Sequence, residues 1–297
     1  MPVGSLPAII PRDVSSRARV GVVFATAVVG AAVLVGLLVH DRNGSSECPP
    51  PEQSYAALVR SDGAIGYWRL DEATGDIAEN SATSGPDGKY VRPNAGRQIL
   101  DNVGVFANDA AIDLYGGGAY VSIPPFARYQ RLPNWSVEAW VRPTEATWKR
   151  ADVALLSHAW DRSSLPFVLG FGSYNGRYRD GRHAWTGFYD QVKRRWSRVA
   201  DTATLPRGTW THLVGTYDGK SIRLYRNGVL VNSKAASGAP LAGKVPLYIG
   251  TRWWLASSQF FFGLVDEVAL YPTALGPTQI ERHYAGAQLR RRALAGC

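Results

Sequence analysis

Between Trp210 and Val231 the chain reads WTHLVGTYDGKSIRLYRNGVLV, with apolar and polar positions alternating around two short turns. Ile222 and Leu224 fall on one face of a strand and Arg223 and Tyr225 on the other, because successive side chains of a strand point to opposite sides. Asp218-Gly219 and Asn227-Gly228 are residue pairs that tolerate positive φ, so the spacing predicts three antiparallel strands joined by two-residue turns. Ser136 to Pro143 alternates in the same way, with Val137, Ala139 and Val141 on one side and Glu138, Trp140 and Arg142 on the other. Looser strand patterns run over Val153–Ala159, Phe167–Phe171, His183–Asp190, Arg198–Ala203, Pro246–Gly250 and Phe260–Tyr271. Turn words such as Asn80-Ser81 and Asp87-Gly88 separate them. Many short strands divided by turns predict an all-β sandwich, and leave the strand order open. One helix closes the domain: Pro277 suits a first helical position, and Ile280, His283 and Tyr284 share a face.

The start of the chain has another pattern. Val20 to Val39 runs twenty residues without a charge, enough for a helix to cross the ~30 Å hydrocarbon core of a bilayer. A cleaved signal peptide has a shorter apolar region, about 7 to 15 residues, and His40-Asp41-Arg42-Asn43 is no small-x-small cleavage site. The expectation is an uncleaved transmembrane anchor. Arg12, Arg17 and Arg19 then keep residues 1–19 in the cytoplasm and place everything after Val39 outside, in a single-pass protein of the cell membrane. Residues 40–54, with Gly44-Ser45-Ser46 and Pro49-Pro50-Pro51, read as a linker, 55–287 as one domain without internal repeats, and 288–297 as an irregular basic tail.

Composition adds two constraints. The 297 residues carry a formal charge of +9, which favours anionic partners and is equally compatible with mere solubility. Cys48 and Cys297 cannot form a C-x-x-C or zinc motif, and a disulfide between them is open only in an oxidising compartment.

Several words of this sequence carry a resemblance. W-T-H-L-V-G-T-Y-D-G, L-Y-R-N-G-V-L-V, Y-W-R-L-D-E at 67–72, S-V-E-A-W-V-R-P and F-F-F-G-L-V-D-E-V-A-L-Y-P resemble LamG-like jelly rolls of the concanavalin A-like lectin/glucanase superfamily. The resemblance spans roughly 55–287 and implies about fourteen strands in a two-sheet antiparallel jelly roll. It also implies carbohydrate binding and, as in some relatives, a structural calcium ion near the first and last strands. The matching acids here are Asp71 and Asp266, with Asp113 a further candidate in Ala111-Ile-Asp-Leu, where the family has Phe-Asp-Gly. The alternative is that these carboxylates accept hydrogen bonds from turn backbones.

The superfamily includes glucanases, so the placing of the acidic residues bears on catalysis. Retaining glycosidases hold two carboxyls about 5–5.5 Å apart. No Glu-x-Asp-x-x-Glu run occurs, and Asp71-Glu72 and Asp266-Glu267, as strand neighbours, are expected on opposite faces. Glu138 reads as a lone acid, His212 as a satisfied core histidine, and no G-x-S-x-G elbow is present. The expectation is a non-catalytic domain. Its ligand surface is sought among Trp160, Trp185, Arg194, Arg195, Trp196, Trp253 and Trp254, since exposed aromatic rings stack on sugar faces and arginine grips carboxylate or phosphate. Basic residues interleaved with aromatics also suit single-stranded nucleic acid, but an extracellular position argues against that partner and no nucleic-acid-binding motif supports it. The sequence therefore points to glycan recognition at the cell surface, then to a cell-surface protein partner, and last to a glycoside-active enzyme.

Overall fold

The computed structural model describes residues 54–91, 100–101, 104–106, 109–115, 118–129, 132–150, 152–158, 167–172, 180–190, 192–238, 240, 245–251 and 259–296. The expected anchor (20–39), Cys48, Cys297, Trp160, Trp253 and Trp254 lie outside the described residues. Among the described residues no helix is long and apolar enough to cross a membrane.

The described chain opens with helix α1 (Tyr55–Ser61), then β1 (Gly66–Trp68), β2 (Ile77–Ala78), β3 (Gly88–Val91), β4 (Leu100–Asp101), β5 (Ala111–Tyr115) and β6 (Tyr120–Ile123). It continues with β7 (Trp135–Pro143), α2 (Glu145–Trp148), β8 (Asp152–His158), β9 (Val168–Gly172), β10 (Ala184–Asp190) and β11 (Arg195–Ala200). Last come β12 (Thr211–Tyr217), β13 (Ser221–Arg226), β14 (Val229–Ala235), β15 (Leu247–Ile249), β16 (Phe262–Tyr271) and α3 (Pro277–Gly296). The strands form two eight-stranded sheets. The first runs β14-β13-β12-β7-β16-β5-β4, with β1 pairing on β16 beyond the reach of β5; the second runs β11-β10-β9-β8-β15-β6-β3-β2.

Alternation decides what each face buries. Val137, Ala139 and Val141 of β7, Leu213 of β12, and Ile222 and Leu224 of β13 meet Leu155, Leu169, Phe188 and Val199 of the second sheet in the main core. Trp68 and Trp135 sit there fully buried. Gly215 faces this core with no side chain because Thr186 lies opposite; a Cβ at 215 would meet Thr186 Oγ1 at 2.2 Å. The other face of the first sheet presents Trp140, Val214, Tyr225, Ala269 and Tyr271, which pack with Tyr55 and Val59 of α1 and Ile280 of α3. The Ser54 hydroxyl caps α1 by accepting from the Ala57 N–H at 3.2 Å.

Three local expectations shift. At the second hairpin Asn227 and Gly228 both have positive φ, 52° and 81°, as a two-residue turn of opposite twist requires. At the first hairpin the turn is centred one residue later, on Gly219-Lys220: Asp218 N–H bonds the Ser221 carbonyl at 3.3 Å and the Asp218 carboxylate holds the N–H groups of Lys220 and Ser221. The expected strand 198–203 starts instead at Arg195 and ends at Ala200. The Asp190 carboxylate accepts from the N–H groups of Val192 and Lys193, Arg194 turns at φ 50°, and the chain is already paired by Arg195. The expected irregular tail is helical: α3 continues to Gly296, through a run of Leu, Arg and Ala that favours helix with no proline to stop it.

Candidate functional site

Three groups of polar residues stand out, and they differ in access. The first lies under the helices. Glu138 of β7 is fully buried and accepts from Tyr55 at 2.8 Å and Tyr271 at 2.7 Å. His212 Nε2 stands 2.6 Å from its Oε1, and His283 Nδ1 is 3.0 Å from both carboxylate oxygens. The Nε2 of His283 meets Asp62 at 3.0 Å. A carboxylate only accepts, so a ring with carboxylates on both nitrogens must donate from both and carry a positive charge. Glu138 is thus not the lone acid its neighbours in sequence suggest. Burial alone would raise its pKa, but His283 and His212 hold it well below the ordinary carboxylate value. For His283, burial works downward and is outweighed by Glu138 and Asp62, which raise it. The closed packing leaves this carboxylate no approach for a substrate, and its chemistry is structural.

The second group lies along β16. There β5 pairs as far as Val265 and β1 takes over at Val268. In the gap the register slips, Glu267 adopts φ 53°, and Asp266 and Glu267 are both fully buried. The expectation that adjacent acids part to opposite faces fails here, because a bulge adds a residue and breaks the alternation. Both carboxylates serve the helix-covered side: Glu267 accepts from Tyr67 and stands 3.5 Å from Arg69 Nε, while Asp266 Oδ2 accepts from Val105 N–H at 2.8 Å. Burial, then Glu267 and Asp109, push Asp266 well up; burial pushes Glu267 up to about 7 against the opposing pull of Arg69. Asp266 Oδ1 is buried without a hydrogen-bond partner. Hard carboxylate oxygens outnumbering the single guanidinium suit calcium chemically. The three acids read from the sequence do not converge, however. Asp71, 2.8 Å from Arg69, shares that guanidinium with Glu267, whereas Asp113 lines a separate cleft with Arg142 and Arg207. No group of three or more His, Cys, Asp or Glu among the described residues is placed to hold a metal ion.

The third group is at an open corner. β11 and β14 are the edge strands of the two sheets on the same side of the sandwich, tied by Asn232 Nδ2 donating to the Ala200 carbonyl at 2.7 Å. On the outer side of β10–β11, Trp185, Tyr189 and Trp196 form a small aromatic cluster. Trp185, expected at the surface, is fully buried: Gly170 leaves its ring the space a side chain would take, and Trp196 stands edge-on at 6.0 Å. Trp196 is half-buried, 5.7 Å edge-on from Tyr189, with the Arg198 guanidinium 4.8 Å over its ring. Beside it a cleft of about 570 Å³ opens between the edges, lined by Arg195, Trp196, Ser197, Lys220, Lys234 and Ser237, among others. Arg194 is exposed at the hairpin tip next to it. Of the candidate ligand residues, Arg194, Arg195 and Trp196 therefore come together. Lys220, Lys234 and Ser237 were missed by sequence reading, because only the meeting of the two sheet edges brings them to Trp196.

A family model described as the concanavalin A-like lectin/glucanases superfamily, for laminin G-like domains, matches residues 115–281, more than half of the chain. No curated protein matches the sequence. Among solved structures, domain 4 of AbnA, a GH43 extracellular arabinanase from Geobacillus stearothermophilus in complex with arabinotriose, is similar at 20% identity and a TM-score of 0.56, over 74% of this chain and 98% of that one. The botulinum neurotoxin serotype D ligand binding domain, in complex with N-acetylneuraminic acid, is similar at 13% identity and a TM-score of 0.54, over 78% of this chain and 53% of that one. The binding domain of Paraclostridial Mosquitocidal Protein 1 is similar at 12% identity and a TM-score of 0.55, over 75% of this chain and 52% of that one. At these identities the likeness speaks for the fold, which the described sheets display independently. The chain belongs to the laminin G-like family of the concanavalin A-like lectin/glucanases superfamily.

Proposed function

We propose that this protein is a non-catalytic, lectin-like module held at the outer cell surface by residues 20–39 and recognising wall or extracellular glycans. The observation that carries the reading is the corner where Trp196, half-buried and held by Tyr189 and Arg198, borders an open cleft beside Arg195. A ring fixed in this way offers an apolar face for sugar C–H groups, and arginine supplies hydrogen bonds at its rim. The sugars bound by the two similar domains, arabinotriose and N-acetylneuraminic acid, support a glycan as ligand. The test is retention of the full-length chain, in detergent, on insoluble polysaccharides. Retention displaced by free sugar and weakened about tenfold by Trp196→Ala, the loss of one stacking contact, is the expected result. Release of reducing ends would overturn the non-catalytic part.

A second reading, a cell-surface protein partner, draws on β14, an edge strand exposing Val229 and Leu230, which invites strand addition. It predicts retention that free sugar does not displace. For calcium, Asp266 would supply the buried oxygen and Glu267 its neighbour, as a structural ion remote from the corner. A melting temperature raised by calcium and lowered by chelator is expected; an unchanged one assigns Asp266 to the Val105 hydrogen bond alone.

A further inference from the structure

The cleft between β11 and β14 has an unbalanced charge. Three cations on this corner are matched: Arg223 with Asp218 at 2.6 Å, Arg226 with Asp201 at 2.7 Å, and Lys193 with Asp190 at 3.7 Å. Arg195, Lys220 and Lys234 line the cleft with no ion pair among the described residues, and no carboxylate shares the lining with them. The nearby acids are already engaged. Asp190 holds the backbone of Val192 and Lys193, and Asp218 that of Lys220 and Ser221.

The wall is also fixed in advance. Lys193 Nζ donates to both the carbonyl and the hydroxyl of Ser237 at 2.6 Å, Tyr217 donates to the Gly238 carbonyl at 2.7 Å, and Ala236 N–H bonds the Lys220 carbonyl at 2.9 Å. Protection of an edge against strand addition explains one inward-pointing lysine on β14. It does not explain Lys220, which stands in a turn, or Arg195, which belongs to the other sheet. Three cations drawn from a turn and from the edges of both sheets, with Ser197 and Ser237 beside them, make a surface for a negatively charged group.

We propose that this cleft is a subsite selecting acidic glycans: Arg195, Lys220 and Lys234 bind the carboxylate, sulfate or phosphate of a bound sugar. The proposal rests on the glycan reading above and adds the charge of the ligand.

The experiment compares retention of the full-length chain on immobilised polyuronate, on the same polymer with its carboxyls methyl-esterified, and on a sulfated and a phosphate-bearing glycan. The expected result is strong retention on at least one anionic polymer that weakens as salt is raised. Retention on the esterified polymer should be at least about tenfold weaker, and Lys220→Gln and Lys234→Gln should each cost about tenfold on the anionic polymer at unchanged melting temperature. The pattern among the anionic polymers assigns the group. Equal retention on acidic and esterified polymer, insensitive to both lysine variants, overturns the proposal and leaves glycan recognition standing. Retention on no glycan, with lysine-dependent capture by single-stranded nucleic acid or anionic vesicles, overturns both.

Discussion

Two regions of this sandwich treat charge in opposite ways. Over the first sheet, Glu138, His212, His283 and Asp62 are interlocked beneath α1 and α3, each of the four with a charged partner among the others. At the corner of β11 and β14, Arg195, Lys220 and Lys234 stand around a solvent-open cleft without an acidic partner. A buried charge must be compensated within the fold, so the first arrangement tells of stability. An exposed charge needs no internal partner, and its accumulation around an open cleft is what the acidic-glycan proposal rests on. The lesson is that the Glu–His constellation, which looks the more chemical, is the structural one.

The comparison breaks first at Glu138. Glu138→Ala strands His283 against Asp62 and leaves two tyrosines and His212 without their acceptor, and should cost about 3–5 kcal/mol by denaturant unfolding, the range for one partner lost from a buried pair. A loss below about 1 kcal/mol would mean that packing alone seals that face. The pH response sharpens the same point. His283 has its pKa raised above 6.5 in the fold, so the stability it contributes is fully present below 6.5 and is lost as pH rises through the folded value. Glu138 is lowered below 4.5, so its contribution is present above 4.5 and disappears as pH falls through the folded value. Thermal melts should therefore decline on the alkaline side of 6.5, and His283→Gln should flatten that decline. Next in size, Arg194→Gly should stabilise by about 0.5–1 kcal/mol, since a β-carbon at φ 50° is strained and glycine is at home there. Smallest of all, Lys220→Gln and Lys234→Gln should stay within about 0.5 kcal/mol of the parent in stability, as exposed positions do. A larger loss would make them part of the scaffold and erase the contrast.

Much of the scaffold was legible in residue order. The alternation of β7 and β13 gave both faces correctly, and Asn227-Gly228 announced its hairpin, because these signals are local. What failed was non-local. The bulge at Asp266–Glu267 exists because β16 changes partner from β5 to β1, and no window of sequence around 266 contains either strand. Trp185 was misjudged because the recess that hides it belongs to Gly170, on a neighbouring strand. Arg194, Arg195 and Trp196 were visible as a basic-aromatic run, whereas Lys220 and Lys234 joined them only through the pairing order of two sheets.

The His283 contact has a consequence for biosynthesis. The strands carrying Glu138, His212 and Tyr271 all precede α3 in the chain, so the first sheet is fully synthesised before the imidazole that faces Glu138 exists. Only when residue 283 is added does that carboxylate acquire its main counter-charge. A chain stopped just after Tyr271 would hold every described strand of the sandwich and still lack the cation that its buried carboxylate requires.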